Sequence, residues 1–289
     1  MYVYIVSMSY FASVVIATYN AERCLDKCLT SCITQTLKPE IIVIDGGSTD
    51  GTLDIIKRHS KHIDHFHTGR DAGVYDAWNK ALQRATGDYL IFLGADDYFA
   101  RRDSIEIVAS HICKASASPD ILYGVTLYIN FEGEIESRFG VRWSKIEPRR
   151  FSKMTLPPPS TFIHRRIFQQ YGGFDLSYKY ASDLEFFMRV FSGGVVPQFI
   201  DKELTYMLKG GFSSKHEIAG YLEIPRMRRS IGRPSFSWVT SHMIFKAYFY
   251  RSRKQIYNFI VVNVIQKAAQ FNLFGRFTRR VVDALPVKR

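Results

Sequence analysis

Short apolar runs alternate with segments of helical periodicity through the first 100 residues of the chain. Residues 11–17, 41–44 and 89–93 are apolar, carry no charged side chain and have the length of a buried strand. Between them, apolar residues recur at helical spacing in residues 21–35 and 75–85. This alternation indicates an α/β fold with a parallel sheet, because parallel strands need a helical crossover between them.

The same alternation continues toward the centre of the chain. Further helices are predicted for residues 52–59 and 103–113, and further strands for residues 63–67 and 121–129. A hairpin turn is predicted just after the last of these strands, where Gly133 lies between two acids. Gly87 follows the helix predicted for residues 75–85, and we expect it to take a positive φ as the helix C-cap.

Each apolar run ends in a turn that carries acids or hydroxyl groups. Thr18 and Asn20 follow the first run, Asp45 follows the second, and Asp96 with Asp97 follows the third. Right-handed crossovers bring the carboxyl ends of parallel strands to one edge, outside which ligands bind. Because adjacent carboxylates repel each other, a divalent cation would supply the missing positive charge at the Asp pair. The alternative is a solvated turn, in which an Asp pair is common.

Several other kinds of site are not expected from this sequence. It lacks the Gly-x-Gly-x-x-Gly and Gly-Lys-Ser/Thr motifs of dinucleotide and P-loop sites, although Gly46 and Gly47 allow close approach of a ligand to the backbone. The four histidines in residues 59–67 are expected on a solvated face, because no cage of carboxylates accompanies them. Four cysteines in 289 residues do not make a disulfide framework, which predicts reduced thiols and a cytosolic compartment.

Four segments, in order, carry a resemblance to a known family. They are IATYNAE at residues 16–22, IDGGSTDGT at 44–52, DAGVYDAWN at 71–79 and GDYLIFLGADD at 87–97. Over roughly residues 11–215 the chain resembles the family 2 glycosyltransferases with the GT-A fold. The resemblance implies a Rossmann-like, mostly parallel sheet flanked by helices, and transfer of a sugar from a nucleotide-diphosphate donor.

The resemblance also implies roles for individual residues. Those implied in substrate binding are Thr18, Asn20, Glu22, Asp45, Gly46, Asp71, Tyr75, Asn79 and Asp96. Asp45 is expected to accept a hydrogen bond from the base, and Asp96 to lie near the ribose and the sugar. Asp97 is implied as the ligand of Mg²⁺ or Mn²⁺, which stabilises the charge of the departing diphosphate. Because the family often has an acid where this chain has Gly94, the division of contacts between Asp96 and Asp97 stays open.

A fifth pair of segments, YGGFD at residues 171–175 and YASDLEFFMR at 180–189, aligns Asp183 with the general base of the family. An inverting transfer needs one carboxylate to take the proton of the acceptor hydroxyl as it attacks the sugar. Ser182 and Glu185 also match a capping box, in which an acid in the first turn stabilises the helix. The two roles are compatible, because the helix dipole keeps such a carboxylate ionised.

The net charge of +12 is concentrated near the C-terminus. Of the 39 Lys and Arg residues 14 follow residue 220, but only 2 of the 27 Asp and Glu residues do. We therefore expect a catalytic domain in residues 1–220 and a basic, aromatic-rich helical extension in residues 221–289 that lies on an anionic membrane surface. The alternative is an extension packed on the catalytic domain. No nucleic-acid-binding motif accompanies the charge, so nucleic acid is not an expected partner.

The N-terminal residues do not have the pattern of a signal peptide. The first 21 residues are uncharged, but no basic region precedes the apolar part and no cleavage-like pattern follows it, so a signal peptide is not expected. Met8 is an alternative start, with residues 1–7 as a loose extension.

Residues 210–216 resemble the segment that closes over the diphosphate in related enzymes, which makes Lys215 and His216 candidate phosphate contacts.

These features together predict a bacterial, metal-dependent, inverting glycosyltransferase. Its expected acceptor is a lipid-linked saccharide or a growing glycan in surface polysaccharide assembly, and its expected location is peripheral, on the cytoplasmic face of the cell membrane. The competing interpretation is a catalytically silent partner that binds sugar nucleotides within a glycan-assembly complex. Nucleic-acid binding through the basic extension is a third, weaker interpretation.

Overall fold

The computed structural model describes residues 10–114, 117–210 and 216–235, together with residues 242 and 245. The chain divides into two compact units, Met1–Thr240 and Ser241–Arg289. Nearly all of the second unit lies outside the described residues, as do the predicted N-terminal extension and Lys215. The following description therefore concerns the first unit.

Strands and helices alternate along the first half of this unit. The strands are β1 (Ala12–Thr18), β2 (Glu40–Asp45), β3 (His65–Thr68), β4 (Tyr89–Gly94), β5 (Tyr98–Phe99), β6 (Ile121–Ile129), β7 (Ile135–Phe139), β8 (Thr161–His164) and β9 (Gln198–Leu208). The helices are α1 (Leu25–Ile33), α2 (Thr52–Arg58), α3 (Val74–Leu82), α4 (Ser104–Cys113), α5 (Trp143–Ile146), α6 (Arg165–Tyr171), α7 (Ser182–Ser192) and α8 (Glu217–Ser230). Short 3₁₀ turns lie at Ser60–His62, Glu147–Arg149 and Pro158–Ser160.

The strands form one sheet in the order β3-β2-β1-β4-β8-β6-β9-β5, with β7 paired to β6. The first four strands in this order are parallel, as the alternation of strands and helices predicts. Strand β8 is antiparallel to both β4 and β6, and the predicted hairpin joins β6 to β7. The prediction of an α/β fold is confirmed, and the purely parallel part of the sheet is the part that carries the four family-like segments.

Side chains from the central strands pack into helices on both faces of the sheet. Val15, Ile42 and Phe92 point to a cluster built with α3, α6, α7 and α8. Ile16 and Val43, one residue further along their strands, point to the opposite cluster with α1, α2 and α4. This alternation explains why the central strands are apolar throughout, since successive side chains of a strand face opposite sides and both sides are covered here.

The predicted role of Gly87 as a helix cap is wrong. Helix α3 ends at Leu82, and Gly87 is not among the glycines with positive φ. A Cβ at this position would instead lie 2.6 Å from the backbone nitrogen of Ser13, so glycine is required by the close approach to β1. The Gly87 nitrogen also donates to Ser13 Oγ at 2.9 Å, which fixes the start of β4 beside the start of β1.

Helix α8 packs against α7 and the segment around Phe151. Its residues Ile224 and Met227 are fully buried in the cluster that contains α7 and Phe151. Arg228 Nη1 donates to the Phe151 carbonyl oxygen at 2.6 Å. The domain boundary predicted after residue 220 therefore falls inside a helix of the first unit, because α8 buries apolar residues against that unit. Within the described ranges, no helix is long and apolar enough to cross a membrane.

Candidate active site at the carboxyl edge of the sheet

The carboxyl ends of the four parallel strands lie side by side. In the strand register Asp45 is opposite both Thr18 and Thr68, and Ala17 is opposite Gly94. Because neighbouring strands are about 4.8 Å apart, the turns that follow these residues share one edge of the sheet. The predicted polar turns of β1, β2 and β4 are therefore brought together by strand pairing.

Asp45 organises the turn that follows β2. Its Oδ2 accepts hydrogen bonds from the backbone nitrogens of Gly47 and Ser48, both at 3.0 Å, and from Thr68 Oγ1 at 2.6 Å. Its Oδ1 accepts from Ser48 Oγ, and the residue has no exposed surface. The predicted hydrogen bond between this carboxylate and a nucleobase stays a prediction. Because Asp45 has no exposed surface, such a bond requires the surrounding turn to rearrange. Ser48 and Thr68 were not among the predicted residues, and only the Ser in the Gly-Gly-Ser turn had a local signal.

Asn20 and Glu22 connect the turn after β1 to the turn after β2. Asn20 has a φ of 48°, and its Oδ1 accepts from the backbone nitrogen of Thr49 at 2.9 Å. Its own backbone nitrogen donates to Ser48 Oγ at 2.8 Å. Glu22 Oε2 accepts from the backbone nitrogen of Gly51 at 2.9 Å. Both side chains thus shape the edge of the sheet through hydrogen bonds to its backbone.

Asp71 lies directly against Gly46. A Cβ at residue 46 would come within 2.9 Å of Asp71 Oδ2, so the absence of a side chain there allows the two turns to approach. Asp71 Oδ1 accepts from the backbone nitrogen of Gly73 at 2.9 Å, which shapes the entry into α3. The turns that carry Asp45 and Asp71 are therefore neighbours in this structure.

Asp97 is buried at the end of β4 and keeps one oxygen without a hydrogen-bond partner. Its Oδ2 accepts from the backbone nitrogen of Gly94 at 2.9 Å, whereas within the described part of the chain no donor reaches the buried Oδ1. Burial and the neighbouring charge of Asp96 raise the pKa of the Asp97 carboxyl well above its ordinary value. A buried, unsatisfied acceptor is costly, which favours a ligand at this oxygen.

Glycine at position 94 allows the side chains of Asp96 and Asp97 to lie close to the end of β4. A Cβ there would lie 2.7 Å from Asp96 Oδ1 and 3.1 Å from Asp97 Oδ2. The two aspartates thus fold back over the end of β4. On the neighbouring strand, Thr18 Oγ1 is also buried and has no partner among the described residues. Two oxygens that need partners therefore lie at the ends of adjacent strands.

Asp183 lies in the first turn of α7 and has one oxygen engaged. Its Oδ1 accepts from Tyr75 Oη and from the backbone nitrogen of Leu184, both at 2.9 Å. Both of these hydrogen bonds involve Oδ1, and a carboxylate oxygen such as Oδ2 can accept a proton. Burial raises the pKa of the Asp183 carboxyl, and the Tyr75 hydrogen bond opposes that shift without cancelling it.

The predicted capping box at Ser182 and Glu185 is wrong. Ser182 Oγ donates to the carbonyl oxygen of Asp175 at 2.8 Å, and the Glu185 carboxylate pairs with Arg189 through Nη2 at 2.8 Å. No side chain caps α7 at Ala181, the residue before the helix. Tertiary partners hold both side chains, so neither forms the capping box, whereas Asp183 Oδ1 itself accepts from a backbone nitrogen in the first turn of α7.

Tyr75 and Asn79 of α3 act through other residues rather than facing the edge of the sheet. Tyr75 is 7% exposed, and its hydroxyl group is engaged by Asp183 and by the carbonyl oxygen of Tyr180 at 3.2 Å. Asn79 uses both ends of its amide on the backbone of Phe174, at 2.8 and 2.9 Å. In this structure Asn79 therefore ties α3 to the backbone of Phe174, and its contact with the substrate stays a prediction.

Asn79 also borders a cavity of about 800 Å³ between α3, α6 and α7. Its walls include Leu82, Leu90, Phe168 and Phe174. Leu90 lies near the start of β4, whereas Gly94 marks its carboxyl end. The cavity is therefore distinct from the cluster of strand ends that carries the candidate residues.

Helix α3 joins the two halves of the candidate site. Asp71, just before the helix, lies against Gly46 of the Asp45 turn, and Tyr75 in its first turn holds Asp183. Only three residues, 72–74, thus lie between Asp71, which contacts the Asp45 turn, and Tyr75, which contacts Asp183. The sequence order alone, in which Asp45 and Asp183 are far apart, does not reveal this connection.

The match to a family model decides the identity. The model described as "Glycosyl transferase family 2" matches residues 13–171, which include β1 to β4 and the edge described above. This chain belongs to glycosyl transferase family 2. The family resemblance of the four segments is therefore confirmed. The match ends before Asp183 and α8, so the roles of those residues depend on the structure of this glycosyltransferase.

Relatives and solved structures agree with this family. A PGL/p-HBAD biosynthesis glycosyltransferase from Mycobacterium tuberculosis is 33% identical over 184 residues, which cover 62% of this chain and 69% of that protein. The crystal structure of S. aureus TarS 1–349 in complex with UDP-GlcNAc matches with a TM-score of 0.63 and 20% identity, over 81% of this chain and 70% of that chain. This chain spans 41% of a longer TarS structure.

A third match holds a metal. The mannosyltransferase PcManGT from Pyrobaculum calidifontis, in complex with GDP-Man and Mn²⁺, has a TM-score of 0.56 and 16% identity, over 93% of this chain and 82% of that chain. At these identities the likeness to solved structures shows a common fold. The nucleotide sugars and the Mn²⁺ belong to those proteins.

The carboxylates of this glycosyltransferase fit a divalent cation that is bound together with a diphosphate. No group of three or more His, Cys, Asp or Glu side chains is arranged to hold a metal in the described part of the chain. Mg²⁺, however, is commonly held by one or two carboxylates together with substrate phosphates and water. Asp97 Oδ1 is buried beside Asp96 and has no donor among the described residues, so the chemistry of this pair is compatible with such a cation.

Proposed function

We propose that this family 2 glycosyltransferase transfers a sugar from a nucleoside-diphosphate donor to an acceptor hydroxyl with inversion, and that a divalent cation assists the reaction. The proposal rests on two carboxylates: Asp97, whose buried Oδ1 has no donor among the described residues, and Asp183, whose side-chain hydrogen bonds to Tyr75 and Leu184 both involve Oδ1. The two carboxylates have different roles in this proposal: Asp97 binds the cation, and Asp183 accepts the proton of the acceptor hydroxyl.

In the proposed reaction Asp183 accepts the acceptor proton through Oδ2. As the O–H bond of the acceptor breaks, its oxygen forms the new glycosidic bond at the anomeric carbon, from the face opposite the diphosphate. The bond between the anomeric carbon and the diphosphate oxygen breaks, and its electron pair leaves with the nucleoside diphosphate. Tyr75 holds Asp183 Oδ1, which orients the carboxylate during the transfer.

The donor end is assigned to the Asp45 turn and the end of β4. The turn after β2 exposes backbone at Gly46 and Gly47, beside Thr18 with its unpartnered Oγ1. Asp97, with Asp96, would hold Mg²⁺ or Mn²⁺, and the cation when bound supplies positive charge to the departing diphosphate. The proposed acceptor is a lipid-linked saccharide or a growing glycan in surface polysaccharide assembly.

A thermal-shift screen tests the donor assignment. UDP-, GDP- and dTDP-sugars are compared with and without Mn²⁺, and a CMP-sugar, which has a single phosphate, is the control. A donor at 100 times its Kd stabilises the folded state by about 2.7 kcal/mol, or roughly 5 to 10 °C in Tm for a domain of this size. We expect one diphosphate donor to give this shift only with Mn²⁺. Equal shifts with and without Mn²⁺ would contradict the assisted mechanism.

We also propose that the enzyme works at the cytoplasmic face of the cell membrane and binds anionic lipid there. In addition to the predicted extension, the described part of the chain contains a basic cluster around Phe151. The Arg233 guanidinium lies 3.8 Å and that of Arg150 lies 4.6 Å from the centre of the Phe151 ring. Burial and Arg149 lower the pKa of Lys153, as expected where cations crowd one another. An anionic surface would relieve this repulsion.

Flotation with phosphatidylglycerol vesicles at low salt tests the membrane proposal. The double variant Arg149→Gln/Arg233→Gln removes two exposed cations of the cluster around Phe151, and Lys57→Gln/Lys61→Gln removes two exposed cations elsewhere. At about 1 kcal/mol per cation near an anionic surface, the first variant should lose about 30-fold in partitioning. The control should stay near wild type. Equal partitioning of the two variants would contradict a role for this cluster.

A further inference from the structure

Glu223 of helix α8 holds the backbone that leads to the candidate base. Its Oε1 accepts from the backbone nitrogen of Lys179 at 2.8 Å, and its Oε2 accepts from those of Tyr180 and Ala181 at 3.1 and 3.0 Å. One carboxylate therefore satisfies three consecutive N–H groups. Charged acceptors make stronger hydrogen bonds than neutral ones, so the arrangement restrains this loop firmly.

The restrained loop is the one that sets the position of Asp183. Ala181 is the residue immediately before α7, and no side chain caps the helix there. The carbonyl oxygen of Tyr180 accepts from Tyr75 Oη, the same hydroxyl group that donates to Asp183. Glu223 therefore restrains two parts of the backbone that position Asp183. One is Ala181, directly before α7, and the other is Tyr180, whose carbonyl oxygen accepts from Tyr75 Oη.

Helix α8 contacts the same loop at two other points. Arg226 Nη2 donates to the carbonyl oxygen of Ser177 at 2.6 Å, and its guanidinium lies 3.9 Å from the centre of the Tyr178 ring. At Gly220 the helix approaches closely, since a Cβ there would lie 3.6 Å from Cβ of Ala181. These contacts also hold the loop in place. Those of Glu223 differ because a charged carboxylate accepts directly from the backbone nitrogens of Tyr180 and Ala181, close to Asp183.

The charge of Glu223 also influences the groups around the base. The titratable and charged groups that act on Asp183 are Tyr75 from α3 and Glu223 from α8. Burial is the main cause of the raised pKa of Asp183, and the negative charge of Glu223 raises it further. Removal of that charge should therefore lower the pKa of Asp183.

We propose that Glu223 is a positioning residue for the proton transfer at Asp183, acting through the backbone of residues 179–181. The inference rests on the proposed function, in which Asp183 is the general base. It also gives α8, which lies outside the matched family region, a role in the reaction. A substrate contact is not required, because Glu223 acts on the loop and not on the sugar.

The variant Glu223→Gln tests this inference. Glutamine keeps the size of the side chain but has one acceptor oxygen and no charge. We expect kcat to fall about 10-fold or more, with the donor KM and the donor-induced thermal shift near wild type. The acidic limb of the pH profile of kcat/KM should move to lower pH. Glu223→Asp, which keeps the charge, should keep the limb in place and recover part of kcat.

Arg226→Gln is the matched control, because it loosens the same loop from the same helix without touching residues 179–181. We expect it to lower Tm and to leave the acidic limb unchanged. The inference is overturned if Glu223→Gln has wild-type kcat and pH profile, or if both variants lower kcat equally with no change in the limb. Should Glu223→Gln fail to fold, kcat of Glu223→Asp decides: a value below wild type supports the inference, and a wild-type value overturns it. An active Asp183→Asn variant would instead remove the proposed function itself.

Discussion

Replacing Asp183 by Asn is expected to lower kcat by about 10³-fold while donor binding stays intact. General base catalysis contributes about 10²- to 10⁴-fold, and an amide cannot take the acceptor proton. The amide oxygen can still accept from Tyr75 Oη and from the backbone nitrogen of Leu184, as Oδ1 does now. The fold and the geometry of α7 should therefore be preserved.

The pH dependence of the wild-type enzyme provides a second test of this role. Only the ionised carboxylate accepts a proton, so activity should be lost as pH falls through the pKa of Asp183. Burial raises that pKa above the ordinary value of about 3.9 for an aspartate, so the acidic limb should lie at higher pH than for an exposed carboxylate. In Asp183→Asn this limb should be absent from the residual activity.

Single-turnover assays at saturating donor would measure the loss, and circular dichroism with thermal melting would confirm the fold. The donor-dependent thermal shift of Asp183→Asn should match the wild type. Transfer at more than a tenth of the wild-type rate would exclude Asp183 as the general base. Loss of donor binding together with activity would place the residue in the donor site instead.

Replacing Asp97 by Asn is expected to abolish metal-dependent transfer, with a loss of about 10³-fold, and to stabilise the protein without ligand. The loss follows because the cation would no longer be held where charge develops on the diphosphate. Asparagine is a poor substitute for a carboxylate that ligates Mg²⁺ or Mn²⁺. The gain in stability follows from the raised pKa of the buried carboxyl, whose ionisation the folded state opposes.

The sign of the stability effect depends on pH. The folded state raises the pKa of Asp97, so it favours the protonated carboxyl. This contribution is fully present below the pKa of the unfolded chain and is lost as pH rises through the higher folded value. Asparagine does not ionise, so the variant should melt above the wild type near pH 8, and the difference should shrink toward acidic pH. Each unit of pKa shift is worth about 1.4 kcal/mol, or roughly 2 to 4 °C in Tm.

Thermal melts of both proteins at several pH values, with and without Mn²⁺ and UDP, would measure both effects. We expect the wild type to gain Tm when Mn²⁺ and nucleotide are added together, and the Asp97→Asn variant to gain none from the metal. Asp103→Asn is the control, because it removes an exposed carboxylate that pairs with Arg101 elsewhere. A metal-dependent shift that survives in Asp97→Asn would transfer the ligand role to another residue.

Local patterns predicted much of the fold. The apolar runs became β1, β2 and β4, and helices α1, α2 and α3 lie within or near the predicted segments. These predictions worked because a strand covered on both faces must be apolar throughout, which is visible in a short stretch of sequence. Element ends were less predictable. Gly87 was interpreted as a helix cap, whereas a distant strand requires it to be glycine.

The candidate site shows the same division between local and distant causes. Asp97 and Asp183 were identified from their motifs, but only the structure shows that Asp97 Oδ1 has no partner among the described residues and that Tyr75 donates to Asp183 Oδ1. Asn79 belongs to one of the motifs, yet its side-chain amide is hydrogen-bonded to the backbone of Phe174. The two residues meet because α3 packs against a loop nearly 100 residues later in the chain. Glu223 had no local signal, since its three partners lie more than 40 residues earlier in the chain.

By itself, the sequence determined the alternation of strands and helices in the first half of the chain, the polar turn that ends each central strand and the family to which the chain belongs. Each of these depends on residue types at short spacing. Only the tertiary structure decided that Asp45 is enclosed by its own turn, that Tyr75 holds Asp183 and that α8 supports the loop before it. The physical reason is that a polar side chain binds whichever partner folding brings within about 3 Å, and the packing of distant segments selects that partner.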